Sequence, residues 1–190
     1  MAVVPMSMFV EFTVAQGTSR VACVADSKRD YDPRFDFYKG FRERAVRQLV
    51  QGWNSQAFRA SLREVRNARK QASYEECRAG LTKWARNKNL SARRAHNGTW
   101  EAAGLEIRVN PELRLVVDGD KFLVKLYFKA EEISASRLEN TLFLLSEVAP
   151  KGATAAILDT RRGQLLTGSD QDPTLDALLS SEAAAFSSLL

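Results

Sequence analysis

The sequence predicts an α+β fold, because its hydrophobic residues recur with helical spacing in one part of the chain and with strand spacing in another. Between residues 37 and 84, apolar side chains return every three or four positions, as on one face of a helix. Between residues 105 and 128 they return at every second position, as on one face of a strand. We therefore expect an antiparallel three-strand meander with helices before and after it, an N-terminal β-hairpin and a C-terminal helix. The 190 residues fit a single domain.

Residues 1–32 are predicted to form the β-hairpin and a charged connector. Apolar side chains alternate along residues 8–15 and 19–25, and Gln16-Gly17-Thr18 between them is a turn signal. Val21 and Cys23 would then share one face of the second strand. After the connector, Asp32 followed by Pro33 indicates a helix start, because a carboxylate caps free N–H groups and proline needs no partner there.

Residues 33–98 are predicted to form a basic helical segment. The first helix repeats an apolar residue at every fourth position from residue 37 to residue 53. The second begins near Asn54 or Ser55 and continues through Ala72. The third opens at Ser73, and Glu76 three residues later completes the pattern of a capping box.

Residues 99–190 are predicted to form a mixed sheet with helices. The meander consists of residues 105–109, 113–117 and 122–128, and Asp118-Gly119 forms its tight turn because both residues tolerate a positive φ. Ser136 and Glu139 open the next helix, which carries Leu142 and Leu145 towards the core.

The remaining C-terminal elements follow from short local signals. Residues 153–158 read as a buried strand, and residues 164–167 are expected to pair back onto it after the turn at residues 161–163. Asp172-Pro173 has the pattern of a helix start, so the last helix is expected to begin there.

Few residues in the chain can carry nucleophilic or zinc chemistry. Cys23 and Cys77 lie far apart, and His96 is the single histidine, in a predicted loop. This excludes a disulfide framework and a Cys/His zinc site. The first ten residues lack the positive charge that precedes a secretory signal, and no apolar run is long enough to span a bilayer. We expect a cytoplasmic protein without membrane contact.

Positive charge is concentrated in the predicted helical segment. The chain has a net charge of +5, but residues 39–94 contain fifteen Lys or Arg and four acids, which gives +11 against −6 elsewhere. Four cations would form one basic ridge on the second helix, and two more extend it: Arg59, Arg63, Arg66 and Lys70, then Arg93 and Arg94. Such a ridge favours contacts with nucleic-acid phosphates, because each neutralised phosphate releases counterions.

Two other interpretations of this ridge stay open. It could meet an acidic protein partner in an interaction module or homo-oligomer, or it could be a solvated face whose arginines pair with acids of the fold. A second candidate surface is the third meander strand, where Lys121, Lys125 and Lys129 share one face with Tyr127 as in many nucleic-acid-binding sheets. The alternative there is an exposed or helix-covered face along which the lysine stems lie.

The order of elements across residues 33–158 resembles the core of the restriction-endonuclease-like nucleases, the PD-(D/E)XK superfamily: a helix, three strands, a helix and a strand. In that family an acid at the second strand and an acid-x-Lys on the third hold a divalent metal and a catalytic water against a phosphodiester. Here Glu112, after Pro111, matches the first acid and Lys125 the lysine, whereas Leu123 stands where the second acid belongs.

The resemblance implies a nucleic-acid-associated protein with an incomplete catalytic motif. A metal ion for phosphoryl transfer needs one or two carboxylates, so Mg²⁺ is implied only if another acid replaces the missing one. Asp118, Glu64 and Glu76 are the candidates for that replacement. The plain alternative is that Glu112 and Lys125 are ordinary surface residues beside a hairpin. Otherwise we expect no cofactor.

Overall fold

The computed structural model describes residues 2–29, 32, 34, 36–168 and 173–190. These residues contain seven helices: α1 Met6–Val14, α2 Thr18–Ser27, α3 Lys39–Gln51, α4 Ser55–Leu62, α5 Ala68–Ala85, α6 Ala135–Glu147 and α7 Pro173–Ser188. They also contain eight strands: β1 Ala2–Pro5, β2 Leu90–Arg94, β3 Gly98–Ala102, β4 Leu105–Val109, β5 Leu113–Val117, β6 Asp120–Tyr127, β7 Thr154–Asp159 and β8 Gln164–Thr167. The predicted α+β class is confirmed.

The strands form two sheets. The larger has the order β2-β5-β6-β7-β8; its neighbours are antiparallel except β6 and β7, which are parallel and joined by α6. The smaller has the order β1-β4-β3, with β1 parallel and β3 antiparallel to β4. The last two predicted strands and the turn between them are confirmed as β7 and β8.

The predicted three-strand meander is wrong in its first member. β5 and β6 pair through the tight turn at Asp118-Gly119, where both residues have a positive φ. β4, however, belongs to the smaller sheet, and β2 lies beside β5 instead. The break between β4 and β5 follows from Pro111, which has no N–H to donate to a neighbouring strand. The end of β2 lies beside the start of β5 instead, where the N–H of Ala95 donates to the Glu112 carbonyl at 3.2 Å.

The predicted N-terminal β-hairpin is also wrong, because residues 8–15 and 19–25 fall in helices α1 and α2. A short apolar run does not distinguish a strand from a buried helix by its spacing alone. In α1 the residues Met6, Phe9, Val10 and Phe12 are all buried, so tertiary packing decides its conformation. Val21 is 54% exposed, so it does not share a buried face with Cys23.

The predicted start of α4 is confirmed at its side-chain cap, whereas the end of that helix and the start of the next are wrong. The side chain of Asn54 accepts the N–H groups of two residues of α4, as expected. That helix ends at Leu62, however, and α5 begins after Asn67, whose side chain accepts the Lys70 N–H at 3.0 Å. The continuous second helix and the cap at Ser73 are therefore wrong, since asparagine favours a cap over a helix interior.

Three other helix starts were predicted from short capping patterns. The cap of α6 is Ser134 rather than Ser136. The helix expected at residues 32–33 starts instead at Lys39, and Pro33 lies outside the described residues. α7 begins at Pro173 as expected, while Asp172 lies outside the described residues.

The larger sheet separates two apolar cores. Val124 and Leu126 of β6 belong to the core shared with α3, α4 and α5. Leu123 points the other way and belongs to the core shared with α1, α6, α7 and the smaller sheet. Leu142 and Leu145 of α6 are buried in this second core, as predicted. Within the described residues, no helix is both long and apolar enough to cross a membrane.

Candidate functional site

Glu112 and Lys125 form an ion pair at the wall of an open groove. The Lys125 Nζ atom lies 3.0 Å from Oε1 of Glu112, and the side chains are only 18% and 11% exposed. The N–H of Leu126 donates to the other carboxylate oxygen, Oε2, at 2.8 Å. Lys125 Nζ also donates to the carbonyl oxygen of Asn110 at 2.7 Å. Both charged groups are therefore held by several protein contacts.

The register of the β5–β6 hairpin brings these two residues together. Leu113 lies opposite Val124, and the Glu112 N–H donates to the Val124 carbonyl at 2.9 Å. Extending the register by one residue places Glu112 opposite Lys125. Because side chains alternate along a strand, both point to the face of the sheet opposite to that of Val124.

The groove has a volume of about 1650 Å³ and is lined by side chains of α1, β4, β6 and α6 and by residues between α2 and α3. Most of its cations already face an acid within the protein. Glu11 contacts Lys129 at 2.7 Å and Arg137 at 2.5 Å. Two further pairs on the wall join Arg29 with Asp26, and Arg42 with Asp36. The charges of the groove are therefore largely compensated from inside.

In the part of the chain that the structure describes, no second carboxylate joins Glu112 at this site. Leu123, on the same face two residues before Lys125, is 2% exposed and packs in the apolar core. Among the residues that the structure describes, no three His, Cys, Asp or Glu side chains are grouped to hold a metal ion. One carboxylate that already accepts two hydrogen bonds is too small a donor set for a hard dication, which prefers several oxygen ligands.

The three acids proposed as replacements lie elsewhere. Asp118 is in the turn at the other end of β5, roughly 20 Å from Glu112 at about 3.3 Å per residue, and it accepts the Asn89 N–H at 2.8 Å. Glu64 contacts Arg44 at 3.5 Å, and Glu76 forms an ion pair with Arg161. The structure does not bring any of them to the Glu112–Lys125 pair.

The predicted basic ridge does not lie on one helix. Arg59 is in α4, Arg63 follows its last residue, Arg66 is in the turn before α5, and Lys70 is in the first turn of α5. Lys70 Nζ lies 5.6 Å from the ring centre of Phe37. The three arginines are exposed on the side of the sheet that α4 and α5 cover.

The three lysines of the predicted lysine face have different environments. Lys121 is exposed at the start of β6. Lys125 is engaged with Glu112, and Lys129 lies beyond the end of the strand and contacts Glu11. Lys121 and Lys129 are therefore exposed to solvent, and Lys125 is largely buried in its ion pair.

Arg93 and Arg94, which were predicted to act together, lie on opposite faces of edge strand β2. Arg94 is opposite Leu113, which is buried in the core on the helical side. Arg93 is opposite Arg114 of β5, and both arginines are exposed. Arg114 is not among the residues predicted from the sequence, because only the β2–β5 register, which pairs residues 21 positions apart, shows that it lies beside Arg93.

The two thiols have no nucleophilic role in this arrangement. Burial raises the pKa of Cys77 to about 11. The pKa of Cys23 is also raised, first by partial burial and then by the nearby carboxylates of Glu11 and Asp26. Thiolate is the reactive form, so both are poorly reactive at neutral pH. His96 is exposed in a loop, as predicted.

Comparison with known proteins gave no match to a family model or to a curated protein. The features of the chain that bear on its function are therefore the Glu112–Lys125 pair, the groove beside it and the exposed cations Arg93, Arg114 and Lys121 on the sheet.

Proposed function

We propose that this protein binds the phosphodiester backbone of nucleic acid, and that its core is restriction-endonuclease-like but lacks a working metal site. The Glu112–Lys125 pair carries the proposal. The resemblance selects these two residues from different strands, and their charged atoms lie 3.0 Å apart at the wall of an open groove.

The order of the surrounding elements also supports the proposal. α5, β2, β5, β6, α6 and β7 follow one another as a helix, three strands, a helix and a strand. β2, β5 and β6 are successive antiparallel neighbours, and β7 lies parallel to β6. The first strand of the resemblance is thus β2 rather than β4, and β3 and β4 form an insertion before β5.

The state of the Glu112–Lys125 pair is the reason for proposing binding without cleavage. A metal ion at Glu112 would compete with the Lys125 ammonium and the Leu126 N–H for the same carboxylate. Leu123 offers no oxygen in compensation. A dication would therefore lose more by desolvation and displacement than a single carboxylate returns.

The test is a binding titration of the full chain with labelled single- and double-stranded DNA and RNA at about 50 and about 200 mM salt. We expect binding that weakens steeply with salt, because phosphate contacts release counterions. Absence of binding to all four probes at low salt would refute the proposed function.

Incubation with plasmid DNA and Mg²⁺ or Mn²⁺ tests the proposed lack of cleavage separately. We expect intact plasmid from the wild-type chain. Cleavage that disappears in Glu112→Ala or Lys125→Ala would show that another acid completes the site and that the protein is a nuclease. The Leu123→Glu variant places a second carboxylate beside Glu112, and calorimetry would show whether it gains metal binding.

The alternative function is a protein-interaction or assembly module. A mainly apolar association should hardly change with salt, since hydrophobic contacts do not release counterions. Self-association in sedimentation experiments at both salt concentrations, together with no binding to the four probes, would favour this alternative.

A further inference from the structure

Three cations occupy adjacent strands on the same face of the larger sheet. Arg93 of β2 lies directly opposite Arg114 of β5. Lys121 of β6 lies opposite Val116, which is two residues after Arg114 on β5. Directly opposed residues share a face, as do residues two apart on one strand. We call the three residues Arg93, Arg114 and Lys121 the sheet-face cations.

The sheet-face cations are exposed, and none of them forms an ion pair with a described acid. Within the described part of the chain, no carboxylate lies within ion-pair distance of any of the three, in contrast to the cations of the groove. Two arginines directly opposite each other on antiparallel strands repel, and such pairs destabilise a sheet. An arrangement that is unfavourable in the free protein becomes favourable when an external anion lies across it.

Glu112 and Lys125 point to this same face of the sheet. Glu112 is two residues before Arg114 on β5, which places it roughly 7 Å away along the strand at about 3.3 Å per residue. Neighbouring strands are about 4.8 Å apart, and Lys121 is offset by two residues along the strand, so the backbone positions of the sheet-face cations lie roughly 5 to 12 Å from one another. Each strand of duplex DNA carries one charge per about 3.4 Å of its axis, so a backbone crossing this surface offers several neighbouring phosphates to the three cations.

We propose that the sheet-face cations are the surface that contacts the nucleic-acid backbone, and that the helical side with Arg59, Arg63 and Arg66 is not. This inference rests on the proposed function and assigns its contact surface. It places the nucleic acid on the face of the sheet to which Glu112 and Lys125 point. The ammonium of Lys125 already donates to protein oxygens, so the direct phosphate contacts are made by the three uncommitted side chains.

Two charge-matched triple variants test the assignment by fluorescence anisotropy with labelled duplex DNA. One variant replaces the sheet-face cations: Arg93→Gln, Arg114→Gln and Lys121→Gln. The other replaces an equal number of exposed arginines on the helical side: Arg59→Gln, Arg63→Gln and Arg66→Gln. We expect the first to weaken binding at low salt at least about tenfold and to make the slope of log K against log salt shallower by about 2 to 3. The second should stay within about threefold of the wild type, since it removes the same net charge without removing a contact.

A matched pair of single variants gives the sharpest control. Arg93→Gln and Arg94→Gln alter neighbouring residues of one exposed strand, and only the first lies on the proposed face. Arg93→Gln should weaken binding, and Arg94→Gln should bind as the wild type does. Circular dichroism and thermal melting establish that each variant is folded before its affinity is compared.

The outcomes separate this inference from the proposed function. If the wild type binds DNA and the sheet-face triple binds equally well, the contact surface is elsewhere and the inference is wrong, while the proposed function stands. Equal losses in both triples would also overturn it, because binding would then follow net charge alone. If polyglutamate of matched charge binds as tightly as duplex DNA, the occupant is an acidic polypeptide and the assignment to nucleic acid fails.

Discussion

The Glu112–Lys125 pair should be a strongly coupled interaction in the folded protein, and a double-mutant cycle measures this. The cycle compares Glu112→Ala, Lys125→Met and the double variant with the wild type. Glu112→Ala removes the acceptor of both the Lys125 ammonium and the Leu126 N–H. Lys125→Met keeps the apolar stem of the side chain and removes only the charge and its hydrogen bonds.

The expected magnitude follows from burial and from the contacts that are left. A fully buried pair that loses one partner is destabilised by about 3–5 kcal/mol. Here the side chains are 11% and 18% exposed, and Lys125 keeps its hydrogen bond to the Asn110 carbonyl, so we expect Glu112→Ala to cost about 2–3 kcal/mol. Lys125→Met should cost about 1–2 kcal/mol, because Glu112 keeps the Leu126 N–H. The coupling energy should be about 1–2 kcal/mol.

Equilibrium unfolding in urea measures the free energy of unfolding of the four proteins. The exposed pair Lys39–Glu43, with a separation of 3.9 Å and side chains 40% and 52% exposed, is the control and should couple by less than about 0.5 kcal/mol. A coupling for Glu112 and Lys125 no larger than that of the control would refute the reasoning, because the two residues would then not be paired in solution.

Three further predictions concern packing, charge and ionisation. Gly80→Ala should destabilise the protein by more than about 2 kcal/mol in urea unfolding, because a Cβ there would collide with the carbonyl oxygens of Arg161 and Thr160. A loss below about 0.5 kcal/mol would mean that α5 does not approach the backbone of these two residues so closely. Arg114→Gln should leave the free protein as stable as the wild type or more stable by up to about 1 kcal/mol at low salt, with a smaller gain at high salt, since it removes the repulsion with Arg93. Cys77 should resist a thiol reagent at pH 8 until the protein is unfolded. Because burial raises the pKa of its thiol from 9.0 to about 11, the folded protein keeps the proton that the unfolded chain loses, and the free energy of unfolding should fall as the pH rises from about 9 to about 11. Rapid labelling of native Cys77, identified by mass spectrometry, would contradict this last prediction.

The parts of the fold that the sequence predicts well are those whose local signal agrees with their tertiary surroundings. Asp118-Gly119 adopts the expected positive φ values, and α6 buries Leu142 and Leu145 as its spacing indicates. The N-terminal segment differs, since Phe9 and Phe12 pack against Phe186 of the last helix. That contact is between residues more than 170 positions apart in the chain, and a local pattern contains no information about it.

The candidate site shows the same division. Glu112 and Lys125 could be selected from the sequence because the resemblance names their positions, and the register of one hairpin is enough to bring them together. Arg114 could not be selected, because its significance depends on β2 replacing β4 as the neighbour of β5. The predicted ridge failed for a local reason, namely that Asn67 caps a new helix in the middle of it.

Leu123 explains why binding and cleavage separate in this protein. Its position must serve either as a metal ligand, which needs a charged oxygen open to the groove, or as a core residue, which needs an apolar side chain shielded from water. At 2% exposure it belongs to the core that β6 shares with α6 and the smaller sheet, so a carboxylate there would lose its hydration. Burial at this position thus stabilises the fold and removes the second ligand at once. The neighbouring surface is not subject to that conflict: Arg114 lies directly opposite Leu123 on β5, yet its side chain is exposed and can meet a phosphate without disturbing the core.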